Sequence, residues 1–376
     1  MAALTFLEFF AGGGLARLGL GAGWRCLFAN DVDPRKCAAY RENFGPEHLV
    51  EADIARLGVR DLPSVAADLA WASFPCQDLS LAGARGGLSG ARSGTFFAFA
   101  RLMADLKTAG HAPRTVVVEN VTGLLTSKGG ADFAAVADEI AGLGFRLSAI
   151  VLNASSFVPQ SRPRLFIFGF SHDALPIFSA APLRGEAAPP ALLGAVARLS
   201  PRAARSWRWL AAEPPASVAR WTELRDLVDL DSPDWSADRG QRALAMMSAR
   251  QRAAVTSLID RGESRVGAAF FRVRREDGRR VQRLEARFDG LAGWLRTPAG
   301  GSSRQLLLMI EGEAVRARRL TPREAARLMG APDAYRLPVG ATDALKLMGD
   351  GVAPPVVRWI ADRILEPALL ARAAAA

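Results

Sequence analysis

From Phe9 to Leu20 the sequence reads FFAGGGLARLGL, in which an apolar run, Leu4–Phe10, passes through three consecutive glycines into a helical pattern. Strand, glycine turn and helix in that order let main chain come close to a nucleotide-like ligand at a helix N-terminus. No lysine lies in the turn, which argues against a phosphate loop of the ATPase kind. Outward from this point the alternation repeats. Arg25–Asn30, Leu69–Ser73, Thr115–Glu119, Arg146–Leu152 and Arg164–Phe170 read as buried strands, short and bounded by Gly, Pro, Asn or Asp. Gly14–Leu20, Pro34–Asn43, Thr95–Ala109 and Ala131–Leu143 read as the helices between them. The fold class expected is α/β: a doubly wound, mostly parallel sheet with ligands at the carboxyl ends of its strands.

Acidic residues follow the next two elements. Asn30-Asp31-Val32-Asp33 ends the second strand, and Asp31 stands where such folds hold ribose hydroxyls. Asp33, just ahead of Pro34, reads instead as a helix cap. Glu51-Ala52-Asp53-Ile54 brings a second acid, Asp53, to the same edge. Together with the glycine turn they point to an adenosine-containing cofactor.

Half of the 376 residues are hydrophobic, enough for one large domain and a smaller one. No apolar run is long enough to span a bilayer and no cleavable leader pattern opens the chain, so a cytoplasmic protein without membrane contact is expected. The three cysteines lack metal-site spacing, and no metal is expected. The net charge of +10 is unevenly spread: residues 172–319 carry 25 arginines against 17 acids, the remainder 23 basic residues against 21. A basic central segment implies a polyanionic partner. Pro- and Ala-rich sequence around 172–200 marks its beginning, and Trp207, Trp209, Trp221, Trp235 and Trp294 are expected to form a small core within it. Regular structure resumes at Leu320-Thr321-Pro322-Arg323-Glu324, where Thr321 and Glu324 predict a capping box, and a last helix is expected over 355–365. The expected division is 1–180 with 318–376, and 181–317.

Three segments carry chemistry. Ser73-Phe74-Pro75-Cys76-Gln77 follows a strand, so Cys76 sits in a loop at a carboxyl end, whereas Cys26 and Cys37 read as inert core residues. After it, Leu81–Gly94, with Arg85 and Arg92, reads as a loop that closes over substrate. Thr115–Val121 ends in Glu119-Asn120; if its strand neighbours that of Cys76, nucleophile and acid converge. A carboxyl buried there can hold a proton near neutral pH and donate it to a ring nitrogen, although a helix cap by Glu119 or Asn120 is an equal reading. Gln160-Ser161-Arg162-Pro163-Arg164 puts three long donors, Gln160, Arg162 and Arg164, on one face of an extended segment, suited to an anion or developing negative charge.

In this order these elements resemble the DNA cytosine-carbon-5 methyltransferase family: Phe10–Leu15 its FAGxGG-like loop, Pro75-Cys76-Gln77 its PCQ, Glu119-Asn120-Val121 its ENV, Gln160–Arg164 its QxRxR, and Gly349-Asp350-Gly351-Val352 its GNxV-like segment. The likeness covers about 1–170 and 318–365. It implies an S-adenosylmethionine-dependent, Rossmann-like catalytic domain and makes 181–317 a target-recognition domain. It further implies that Cys76 attacks carbon 6 of a cytosine flipped from double-stranded DNA, that Glu119 engages ring nitrogen 3 and the exocyclic amine, and that Arg164, supported by Arg162, holds the base. Phe10, Gly12, Gly14, Asp31, Val32, Asp53, Ile54, Pro75, Asp350 and Val352 would line the cofactor site. Ser80, Arg85, Arg92, Gln160, Arg296, Ser302, Ser303 and Arg304 would meet DNA, with Arg296–Gln305 the candidate for groove contact. The expected protein is a bacterial, nucleoid-associated monomer on DNA, with a cognate restriction endonuclease as a companion.

The sequence departs from the family pattern at Leu15, Ser73, Val32 and Asp350. Asp350, where asparagine is usual, would put a carboxylate at the methionine end of the cofactor. An RNA cytosine methyltransferase and a catalytically silent DNA-binding regulator are the alternatives. The long basic insertion argues against the first, and Cys76, Glu119 and Arg164 together argue against the second.

Overall fold

The computed structural model describes residues 3–75, 94–172, 176–216, 222–276, 278–296 and 304–371. They form two compact units, one of 1–153, 163–215 and 352–376, the other of 154–162 and 216–351. The chain thus divides differently from the expected boundaries at 180 and 318: 181–215 goes with the first unit, and 154–162 and 318–351 with the second.

In the first unit the chain runs β1 (Leu4–Phe9), α1 (Leu15–Leu20), β2 (Trp24–Asp31), α2 (Pro34–Phe44), β3 (Leu49–Glu51), β4 (Leu69–Ala72), α3 (Thr95–Thr108), β5 (Thr115–Val121), α4 (Ala131–Gly142), β6 (Arg146–Asn153) and β7 (Pro163–Phe170). The seven strands order as β3-β2-β1-β4-β5-β7-β6. β1 to β5 pair in parallel, whereas β7 runs antiparallel between β5 and β6. Helices cover both faces of such a sheet, so its strands are apolar on both sides; Phe6, Phe9, Trp71, Val117, Phe166 and Phe168 are fully buried. The winding reverses between β1 and β4. That switch point opens a crevice at the carboxyl ends of those two strands, which end at Phe9 and Ala72.

A short pair, β8 (Phe178–Ser179) with β9 (Trp209–Leu210), and helices α5 (Pro190–Val196) and α6 (Pro201–Ser206) complete this part of the first unit. The expected tryptophan core does not form among the described residues. Trp207 and Trp209 pack edge-on in the main core of the first unit, Trp235 lies under the Arg318 guanidinium, Trp294 is 45% exposed, and Trp221 falls outside the described residues. Spacing in sequence carried no information about which core each indole would join.

The second unit holds α7 (Leu224–Leu227), α8 (Ala237–Ala245), α9 (Ala249–Asp260), β10 (Arg265–Glu276), β11 (Arg279–Arg287), β12 (Leu306–Glu311), β13 (Ala314–Arg319), α10 (Pro322–Leu328) and α11 (Ala341–Asp350). Its strands form an antiparallel sheet, β11-β10-β12-β13, over a core that includes Met247, Leu284, Leu308 and Ile310. Thr321 caps α10 in the expected box with Glu324. That Glu324 also pairs with Arg318 at 2.5 Å, both side chains nearly inaccessible, while Arg318 reaches the Asp229 carbonyl at 2.8 Å. After this unit α12 (Pro354–Ile360) returns to the first, where it packs against α1, and the helical segment continues to α13 (Glu366–Leu370). No described helix is long and apolar enough to cross a membrane.

Candidate active site

At the switch point β1 ends in a main chain that side chains rarely adopt. Phe10 has φ 58°, a left-handed conformation costing a bulky residue on the order of 1–3 kcal/mol. Gly14 has φ 76°, and a Cβ there would collide with the Phe44 ring, so only glycine fits. The turn is tied to β2 by Asp31: one carboxylate oxygen accepts from Gly12 N–H at 2.8 Å, the other from Asp33 N–H at 2.9 Å. Asp33 caps α2 through the backbone N–H groups of Arg35 and Lys36. Asp53 is exposed and accepts from Ala55 N–H, with Ile54 buried behind it. Val32, beside Asp31, is 65% exposed, and a Cβ on Gly12 would meet nothing within 4 Å. Asp31 itself is buried, so an open glycine turn, an uncovered apolar side chain and the exposed Asp53 carboxylate are what fit a purine nucleoside with a ribose diol.

Beneath the turn lies Glu8, 1% exposed, which the sequence reading passed over as one more strand residue. Its Oε1 accepts from Arg17 N–H at 3.3 Å in the first turn of α1, a helix whose N-cap, Gly14, offers no side chain. Burial pushes its carboxyl up to about 8. Cys26 and Cys37 are buried, and burial raises their thiols to about 11 and about 12, so both stay protonated and inert at neutral pH.

β4 and β5 are neighbours, with Ala72 opposite Val118, which brings the chain leaving β4 beside Glu119. Cys76 itself, with Ser80, Arg85 and Arg92, lies outside the described residues. Its approach is held by Asn120, for which a helix cap was the expected alternative: the side-chain amide donates instead to the Phe74 carbonyl at 3.1 Å. Glu119 is 6% exposed and pairs with Arg164 Nε at 3.2 Å. The pair follows from register. Phe166 lies opposite Glu119 and Arg164 opposite Val121, so the two side chains share a sheet face as diagonal neighbours.

The shared face expected for Gln160, Arg162 and Arg164 divides between the units. Gln160, fully buried, donates to the Leu328 carbonyl at 2.9 Å and accepts from Leu295 N–H at 3.3 Å. Arg162 donates to the carbonyls of Gly349 and Gly351, both at 2.7 Å, and of Leu295 at 3.2 Å. Gln305 holds the carbonyls of Gly293 and Trp294 at 2.6 and 3.2 Å. Asp350 is exposed at the end of α11, and Val352 is buried.

Of the residues assigned to DNA, Ser302 and Ser303 lie outside the described residues. Arg304 donates to the Thr342 hydroxyl at 2.8 Å. Arg296 stacks on Phe270 and on the exposed Trp294, with guanidinium-to-ring distances of 5.2 and 5.5 Å. Burial, then the neighbouring Arg272 charge, pushes it below its ordinary value. The β10–β11 hairpin, which carried no site assignment, sorts its charge by face. On one face Arg272 and Arg274 pair with Glu285, and Arg283 with Glu276. On the other, Arg275 and Arg280 stand directly opposite each other, both exposed, with no acid paired to either among the described residues. Like charges so placed cost stability unless a polyanion covers them.

The model of the C-5 cytosine-specific DNA methylase family matches residues 4–366. Type II methyltransferase M1.ScrFI of Lactococcus lactis subsp. cremoris is 25% identical over 96% of this chain and 77% of its own length. Type II methyltransferase M.NlaX of Neisseria lactamica is 26% identical over 95% of both chains. Among solved structures, the Entamoeba histolytica methyltransferase EhMeth superposes with a TM-score of 0.63 at 13% identity, covering 97% of this chain and 98% of its own. With the family model matching nearly the whole chain, and the glycine turn, the ENV segment and the sheet order in place, the chain belongs to the C-5 cytosine-specific DNA methylase family.

Proposed function

We propose that this DNA (cytosine-5) methyltransferase works on a base flipped out of the duplex through a transient Cys76–carbon 6 bond, with S-adenosylmethionine held at the turn over Phe10, Gly12 and Gly14. The observation that carries the reading is the Glu119–Arg164 pair at the end of β5, beside the strand that leads to Cys76. Cys76 Sγ, as thiolate, adds to ring carbon 6 while the 5,6 double bond shifts its electrons to carbon 5. Glu119 faces ring nitrogen 3 and the exocyclic amine, and Arg164, oriented by Glu119, keeps the base in place. Asn120 fixes the Phe74 carbonyl and so the start of the nucleophile's loop. S-adenosylmethionine supplies the electrophilic methyl group. Carbon 5 then loses its proton, and that electron pair restores the double bond as Sγ departs.

Asp31, Val32, Asp53 and Ile54 are assigned to the nucleoside, and Pro75, Asp350 and Val352 to the remainder of the cofactor. Duplex DNA would lie against the second unit, through phosphate contacts by Arg275 and Arg280 and groove contacts by Arg296, Ser302, Ser303 and Arg304. The test is covalent trapping on duplex DNA containing 5-fluorocytosine, where carbon 5 has no proton to lose. A denaturation-resistant adduct is expected with the wild type and none with Cys76→Ser; no wild-type adduct refutes the mechanism. Sequencing host DNA for 5-methylcytosine after expression identifies the target, and methylation of transfer RNA in place of duplex would favour the RNA alternative.

A further inference from the structure

Two buried side chains grip Leu295 at both of its backbone groups: Gln160 takes the N–H and Arg162 the carbonyl. The next residue is Arg296, where the segment assigned to DNA begins. The other arm of the Arg162 guanidinium, Nη2, holds the carbonyls of Gly349 and Gly351, the two residues that flank Asp350 in the segment assigned to the cofactor. One cation, 1% exposed, therefore carries hydrogen bonds to the backbone of both segments. We propose that Arg162 is a positioning residue that couples cofactor binding to DNA binding, rather than a group that touches the base.

The physical reason lies in the guanidinium. Its donors are fixed in one plane, so a carbonyl that moves at one end tilts the donor serving the other. Ordering Gly349–Gly351 around a cofactor thereby sets the main chain at Leu295 and Arg296, and a backbone already set there loses less entropy when Arg296 meets DNA. The effect runs both ways, since coupling between two binding equilibria is reciprocal. A residue that merely held the unit together would weaken both affinities in parallel and leave their coupling intact. The proposal rests on the assignment of Asp350 to the cofactor and of Arg296 to DNA.

The test titrates S-adenosylhomocysteine, which cannot react, into the protein with and without a duplex carrying the sequence found methylated in host DNA. In the wild type, the duplex is expected to tighten S-adenosylhomocysteine by roughly 5–150-fold. In Arg162→Lys each ligand still binds alone, and the factor falls below about 2 because a single ammonium nitrogen cannot stand at both places from which Nη1 and Nη2 donate to the two segments. A variant that keeps the wild-type factor overturns the proposal. If that variant does not fold, the wild type decides by amide exchange: S-adenosylhomocysteine without DNA is expected to slow exchange at 293–296, and unchanged exchange there overturns the coupling. A wild type that methylates DNA with no coupling defeats this proposal and leaves the function standing. A wild type that neither binds nor methylates the duplex defeats both.

Discussion

Glu8→Gln is expected to stabilise the protein at neutral pH. The carboxyl is buried under the glycine turn, where burial lifts it from 4.5 to about 8; the Arg17 N–H and charge lower it, and the Asp31 charge raises it. A folded chain that keeps a proton the unfolded chain has released loses stability as pH rises from about 4.5, and the loss levels off above about 8. At pH 7 the unfolded-state value is about 2.5 units behind, and at about 1.4 kcal/mol per unit the loss is about 3 kcal/mol. Glutamine keeps an acceptor for Arg17 N–H and ionises in neither state. Its amide leaves one polar group without a partner, as Glu8 Oε2 already is among the described residues. The variant should therefore exceed the wild type by about 3 kcal/mol at pH 7 and by less than about 1 kcal/mol at pH 5. Equilibrium urea unfolding, followed by tryptophan fluorescence at both pH values with the slopes compared, measures the gap. A gap of the same size at pH 5 and pH 7 would show Glu8 ionised in the fold and refute the reasoning.

Arg164→Gln removes the partner that orients Glu119, and kcat is expected to fall by about 10²–10³ with little change in cofactor affinity; single-turnover methylation against cofactor titration separates the two. Replacing both Arg275 and Arg280 by Gln should reduce the slope of log affinity for duplex DNA against log salt by about 2, and an unchanged slope would mean that this face does not meet phosphate. Glu324→Leu strands the Arg318 cation in the second unit and is expected to cost about 3–5 kcal/mol, measured by urea unfolding; adding Arg318→Met should recover most of it. Burial raises the Glu324 carboxyl but the Arg318, Thr321 and Asp229 hydrogen bonds outweigh it and hold it low. Its contribution is thus present above the ordinary carboxylate range and lost as pH falls through the folded value.

Local rules made much of the first unit legible in sequence. Short apolar runs bounded by Gly, Asp and Asn became β1, β2, β4, β5, β6 and β7, and Asp33 and Thr321 cap the helices their position predicts. The second unit was opaque for a physical reason. In β10, residues 265–276, the inner half is buried and the outer half is not, so no single period runs through it. The expected Gln160–Arg162–Arg164 face was a correct statement about an isolated strand. The chain instead spends the first two on carbonyls of residues more than 130 positions away and leaves the third for Glu119.

The sequence alone determined which elements form and which chemistry-bearing residues end them, because strand period, glycine turns and helix caps are decided within a few residues. Only the tertiary structure decided that β4 lies beside β5, that β7 turns antiparallel and presents Arg164 to Glu119, and that Glu8 is sealed beneath the turn. Strand order, register and burial are set by contacts between segments far apart in the chain. A carboxylate or guanidinium takes its role from whichever distant backbone or charge those contacts bring to it.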